Sequence, residues 1–125
     1  IAMPWNLDSK RPIYEQILER VQLDIVTGHY KAGDKLPSVR DLAAEAAVNP
    51  NTMQKALSEL ERSGLLYAQR TSGRYVTDDK TLIKTMKSQL ATMQVREFIT
   101  KMKQLGLANT EIIGLIQDIM REESI

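Results

Sequence analysis

The sequence predicts a mainly α fold with a small β-hairpin, and three observations predict it. Between Leu36 and Val76 two short helical patterns are followed by two strand-like runs around a glycine. One more helical pattern precedes them, and two follow, the last of which is apolar almost all round. The chain therefore divides into an N-terminal winged helix-turn-helix over residues 4–77 and a two-helix tail over residues 78–125.

Taken in order, Trp5 to Arg11 is an irregular lead-in, and Pro12 opens a helix because its missing N–H costs nothing at a first turn. Tyr14, Ile17, Leu18, Val21 and Ile25 make the buried stripe of that helix. Glu15, Gln16, Glu19, Arg20 and Asp24 fall outside it, and Gly28 stops it. His29 to Lys35 is a turn-rich connection that delivers Lys35-Leu36 as a short strand able to pair with the hairpin. His29 is the only histidine, and with no cysteine in the chain it is read as a surface or packing residue rather than a metal ligand or base.

The central stretch carries the clearest local signals. Ser38 with Asp41 three residues on has the spacing of a helix N-cap, and Val39, Leu42, Ala43 and Ala46 share one face. Asn49-Pro50 starts a second helix, in which Met53, Ala56, Leu57 and Leu60 form the buried stripe and Gly64 supplies a left-handed end. Its opposite face is Asn51, Thr52, Gln54, Lys55 and Ser58, all hydrogen-bond formers. Such a face suits a DNA major groove, where base edges and phosphates both need polar partners. Leu65 to Gln69 and Tyr75 to Thr77 are strand-like, joined by the polar turn Arg70 to Arg74 with Gly73 free to take positive φ. Two arginines at a hairpin tip suit a phosphate backbone or a minor groove; alone they also suit a plain solvated hairpin.

Beyond Asp79 a long helix is expected from about Lys80 to Leu105, with Leu82, Met86, Leu90, Met93, Phe98, Met102 and Leu105 as its stripe. At 1.5 Å per residue it would run roughly 39 Å, more than a winged domain covers along one side. Asn109 is expected to cap a last helix that Ile112, Ile113, Leu115, Ile116, Ile119 and Met120 surround. The two helices are expected to form a hairpin that pairs with the same hairpin of a second chain, through Leu82, Met86, Leu90, Met93, Phe98, Ile112, Ile116 and Ile119. The alternative is that both fold back on their own winged domain.

Composition sets the remaining bounds. Lys+Arg 17 against Asp+Glu 16 leaves a formal net charge of +1, so any affinity for DNA rests on local placement. With Cys 0 there is no disulfide framework, thiolate nucleophile or zinc-finger ligand set, which fits a reducing cytoplasm. No apolar run approaches a membrane span and no signal peptide opens the chain; Ile1-Ala2 ahead of Met3 is expected to be a cloning remnant. No nucleophile and base pair, phosphate-binding glycine loop or carboxylate cluster points to an enzyme, and no cofactor is expected.

The run LPSVRDLA, followed by VNPNTMQKALSELERSGLL and a short wing ending in RYV, resembles the DNA-binding domain of the GntR family of bacterial transcription regulators. PIYEQI and IVTGHYKAGDKLPS extend the match back to Pro12, and VNPNT with the short helical tail resembles the YtrA-like subgroup. The resemblance implies DNA contacts by Arg40 of the LPSxR motif, by Asn49, Asn51, Thr52, Gln54 and Lys55 on the second helix of the pair, and by Arg70 and Gly73 in the wing; Ser38 beside Arg40 and Arg74 beside Gly73 are expected to join them by position. It further implies a repressor that binds an inverted-repeat operator on double-stranded DNA as a homodimer, in this subgroup often at transporter genes. An inducer, if one exists, has only the tail or the dimer interface to bind. Two positions depart from the family pattern: Pro50 stands where many members have Arg, and Thr71 with Arg74-Tyr75 replaces the usual first Gly and Thr-Phe of the wing. The rival reading, a winged helix that binds protein or RNA, would expose apolar side chains where Asn51, Thr52, Gln54 and Lys55 stand.

Overall fold

A computed structural model describes residues 5–124. The expectations that fall on residues 1–4 and 125, namely the Ile1-Ala2 remnant and the outermost ends of the two segments, lie outside the described residues. The elements in order are α1 (Ile13–Val26), α2 (Val39–Ala46), α3 (Pro50–Arg62), β1 (Leu66–Gln69), β2 (Gly73–Val76), α4 (Lys80–Gln104) and α5 (Asn109–Glu123). Internal contacts divide the chain into two compact units between Lys87 and Ser88, within α4, eleven residues beyond the end of the hairpin.

In the first unit α1 buries Ile17, Val21 and Ile25, with Tyr14 and Leu18 half-buried against the same core. Three polar residues expected outside are covered instead. Gln16 is buried because the lead-in folds over it: its Nε2 donates to the carbonyl of Arg11 at 3.0 Å, and its Oε1 accepts from the N–H of Asp8 at 2.6 Å. Arg20 and Asp24 form an ion pair at 3.1 Å one helical turn apart, both largely buried. The Trp5 ring lies 4.7 Å under the Arg20 guanidinium, and its indole N–H donates to Glu45. Each polar group thus enters the interior with a partner, which removes the cost of burying it alone.

α2 and α3 form as their caps dictate. The Ser38 hydroxyl accepts from the Asp41 N–H at 3.1 Å and Asn49 Oδ1 from the Asn51 N–H at 2.8 Å, each satisfying a donor that the helix leaves free. Between them Ala47 stands at φ 57, ψ 46, a left-handed conformation that glycine takes more readily. Leu42, Met53, Ala56 and Leu57 are completely buried and meet Ile17 and Val21 of α1 to make the core. Gly64 ends this helix region at φ 86, as expected.

β1 and β2 pair antiparallel with Leu66 opposite Val76 and Gln69 opposite Gly73. Lys35 bridges Tyr75 as a third, single-residue strand, and the Leu36 N–H donates to the Arg74 carbonyl at 2.9 Å. The connecting turn is shorter than expected. Gly73 and Arg74 belong to β2, because the pairing runs on to Gln69 and leaves only Arg70, Thr71 and Ser72 outside it.

Asp79 caps α4, its carboxylate accepting from the Leu82 N–H at 3.1 Å. Ile83 and Met86 pack on the winged core and Leu82 lies beside Gly64, so the first turns of the long helix serve the first unit. In the second unit, Ile112 is the one buried residue among those described. Ala108, not Asn109, caps α5: the Glu111 carboxylate accepts the Ala108 N–H at 3.0 Å, and alanine has no side-chain oxygen to return the bond. Met93, Val95, Phe98, Ile113, Leu115, Ile116, Ile119 and Met120 remain exposed, so the two helices do not close a core between them.

Candidate nucleic-acid interface

The first unit carries the residues that the sequence singles out for DNA. Asn51, Gln54, Lys55 and Ser58 are exposed on α3, with Thr52 half-buried at their edge. They are set there by the buried face opposite, where Met53, Ala56, Leu57 and Leu60 fix the rotation of the helix. Asn49 and Ser38 spend their side-chain oxygens on the caps of α3 and α2, which leaves the N-terminal amides of both helices held in register. Arg40, in the first turn of α2, is exposed and makes no hydrogen bond or ion pair among the described residues.

Two cations on this surface are oriented from below. Lys55 Nζ sits 4.6 Å over the Tyr14 ring, a cation–π contact that tethers the ammonium without neutralising it. Arg74, expected at the hairpin tip, instead turns back from β2 onto α3. Its Nε donates to Glu61 Oε1 and its Nη1 donates to Gln54 Oε1 at 3.3 Å, while Gln54 Nε2 donates to Ser58 Oγ at 3.4 Å.

Arg70 is exposed within the turn of the wing. Gly73 has φ 111, a conformation that favours glycine, while Lys35 Cε stands at an ordinary contact distance of 3.5 Å from where a Cβ would lie. The Tyr75 hydroxyl donates to Ser72 Oγ at 2.9 Å and its ring stacks on Tyr67 at 5.7 Å, which stiffens the hairpin. An open cleft of about 680 Å³ runs between the start of α2 and the wing, lined in part by Tyr30, Lys35, Ser38, Gly73 and Arg74. Burial pushes the Tyr30 phenol up, with the Glu45 and Asp24 carboxylates adding to it.

Sequence reasoning missed Lys35, Tyr14 and Glu61. Glu61 had a readable signal, since Gln54, Ser58 and Glu61 stand at i, i+4 and i+7 on one helical face. Lys35 and Tyr14 had none, because their neighbours lie far along the chain. Among the described residues no group of side chains could hold a metal ion, and no helix is long and apolar enough to cross a membrane.

Residues 13–76, just over half the chain, match the family described as bacterial regulatory proteins, gntR family. Two proteins of Bacillus subtilis are similar over nearly the whole length. The uncharacterized HTH-type transcriptional regulator YhcF is 36% identical, over 86% of this chain and 89% of its own. The HTH-type transcriptional repressor YtrA is 37% identical, over 89% of this chain and 86% of its own. A GntR family transcriptional regulator from Listeria monocytogenes superposes with a TM-score of 0.84 at 41% identity, covering 90% of this chain and 98% of that one. A capped helix pair with a polar outer face, a wing beside it and relatives of matching length lead to one conclusion: the chain belongs to the gntR family of bacterial regulatory proteins, as a YtrA-like, non-enzymatic DNA-binding transcription regulator.

Proposed function

We propose that this regulator is a repressor that binds an inverted-repeat operator as a homodimer. The observation that carries the reading is the surface made by α2, α3 and the wing. The outward face of α3 from Asn51 to Ser58 is polar, its rotation is fixed by a closed core, and Arg40, Lys55 and Arg70 reach solvent from this surface without a carboxylate partner among the described residues. In this reading α3 enters the major groove, Asn51, Thr52 and Gln54 meet base edges, and Arg40 reaches a guanine or a phosphate. Lys55 and Arg70 meet the backbone, and the capped N-termini of α2 and α3, set by Ser38 and Asn49, present N–H groups to phosphates.

The second half of the reading rests on the tail. Soluble single chains rarely leave so continuous a set of large apolar side chains in water, and a second copy of the same helices covers it with the two-fold symmetry that an inverted repeat requires. Met93, Phe98, Ile116 and Ile119, with the half-buried Leu90, are the contacts proposed, whereas Leu82 and Met86 lie against the winged unit and Ile112 is already buried within the chain. The likeness to the YtrA repressor supports repression, and the family resemblance extends the proposal to transporter genes.

Selection from random duplexes tests it. Enrichment of inverted repeats with half-site centres about 34–36 Å apart is expected. Binding that is salt-sensitive but blind to sequence would defeat the operator reading. Deleting the gene should raise transcripts beside the enriched site, and a fall would make the protein an activator.

A further inference from the structure

The Arg74 side chain is mostly buried, at 15% exposure, although it springs from the wing. It spans two residues of α3 that stand seven apart, with Nε on the Glu61 carboxylate and Nη1 on Gln54 Oε1. The fork of a guanidinium reaches both at once, which a lysine ammonium on its flexible stem does not. Glu61 neutralises the charge, so Arg74 differs from Arg40 and Arg70, whose guanidinium groups have no such partner among the described residues.

Gln54 is therefore held at both ends of its amide, by Arg74 at the oxygen and by Ser58 at the nitrogen. A primary amide has two N–H donors and two oxygen lone pairs, so each end keeps one site open. One donor beside one acceptor is the pattern by which a glutamine reads adenine in the major groove, its N–H donating to N7 and its oxygen accepting from the N6 amino group. A free glutamine would have to freeze its rotamers and choose which end is which at the moment of binding. Here both choices are made beforehand.

We propose that Arg74 is a positioning residue for base reading: from the wing it sets the orientation of the Gln54 amide on the recognition helix, and Glu61 keeps it from the phosphates. Base preference at the Gln54 position then depends on where the wing sits. The proposal rests on the reading that α3 enters the major groove.

The test uses the full-length protein and the operator enriched from random duplexes. Arg74→Lys keeps the charge and loses the fork. It is expected to cut discrimination at the base pair facing Gln54 about tenfold, to leave other positions unchanged, and to leave the slope of log affinity against log salt as in the parent. In a Gln54→Ala background the same substitution should change nothing further at that base pair. Retained discrimination in Arg74→Lys would overturn the proposal, and so would an undiminished effect in the Gln54→Ala background. An Arg74→Ala slope flattened by about 0.9 would show a phosphate contact instead. If thermal melting finds the Arg74 variants unfolded, Ser58→Ala carries the test: it frees the other end of the amide and should lower discrimination at that same base pair only. A parent protein that enriches no sequence would defeat the major-groove reading itself, whereas enrichment with an indifferent Arg74 defeats this inference alone.

Discussion

The two compact units spend similar apolar patterns in opposite ways. In the winged unit Met53, Leu57, Leu42 and Ile17 lie at 0% exposure, each facing a neighbour from elsewhere in the same chain. In the tail Met93 and Val95 stand at 54% and Met120 at 67%, with only Ile112 buried among the described residues. Periodicity states that a helix face is meant to be covered; it does not say by what. Where α1, α2, α3 and the hairpin supply one another's cover, the stripe becomes a core, and where no described element lies across it, the stripe stays open.

The sharpest way to break this contrast is to end the chain after Lys87, which keeps Ile83 and Met86 on the winged core. A folded monomer is expected that binds a half-site and loses about 10²–10⁴ in affinity for the full inverted repeat. Sedimentation with operator titration checks it, and a truncated protein that still dimerises would move the interface into the winged unit.

Next in size is a matched pair of truncated side chains. Leu57→Ala empties a closed core and should cost about 2–5 kcal/mol of unfolding free energy in a chemical melt. Leu115→Ala, at 46% exposure, should leave the unfolding of the winged unit unchanged and act, if at all, on the monomer–dimer equilibrium. Equal effects on winged-unit stability would erase the distinction between the units.

Within the winged unit, Arg40→Ala should weaken operator binding by about 1–3 kcal/mol if the guanidinium is bidentate to a guanine, with relaxed preference at that pair alone. Its stability should not change, because Arg40 has no partner in the protein among the described residues. Titration of matched and mismatched duplexes decides between a read base and a phosphate.

The smallest expected effect is a gain. Ala47 holds a left-handed turn at φ 57 with its methyl exposed. The conformation costs an L-residue roughly 1–2 kcal/mol, and glycine gives back roughly 0.5–1 of that in the unfolded chain. Ala47→Gly should therefore stabilise the winged unit by about 0.5–1 kcal/mol, seen as a higher melting temperature with unchanged operator affinity. A loss of stability would mean that the strain is not local to Ala47.

What was legible in the sequence is what depends on near neighbours. Ser38 and Asn49 cap groups two or three residues away, and the stripe from Met53 to Leu60 lies within one helix, so short spacing suffices to place them. Gln16 looked like a surface residue because its partners, the backbone of Asp8 and Arg11, reach it only after the lead-in has folded over α1. Arg74 looked like a tip residue because its carboxylate partner stands 13 positions back, beyond any local pattern. For the site, side-chain identity and helix face could be read, but which cations were already engaged could not. The boundary between units followed the same rule: the hairpin ends visibly at Val76, while the hold of Ile83 and Met86 on the core needs the fold itself.

The position of Trp5 makes the two units optically separable. It is the only tryptophan, and its indole meets a guanidinium over its face and a carboxylate at its N–H, both belonging to the winged unit. Light absorbed at the red edge of the aromatic band therefore excites a single chromophore, whose emission changes when the lead-in peels away from α1. The tail contributes no such signal, since Phe98 is its only aromatic residue. A titration that separates two copies leaves the emission constant, one that melts the reading head shifts it, and the same cuvette distinguishes the two events without any label.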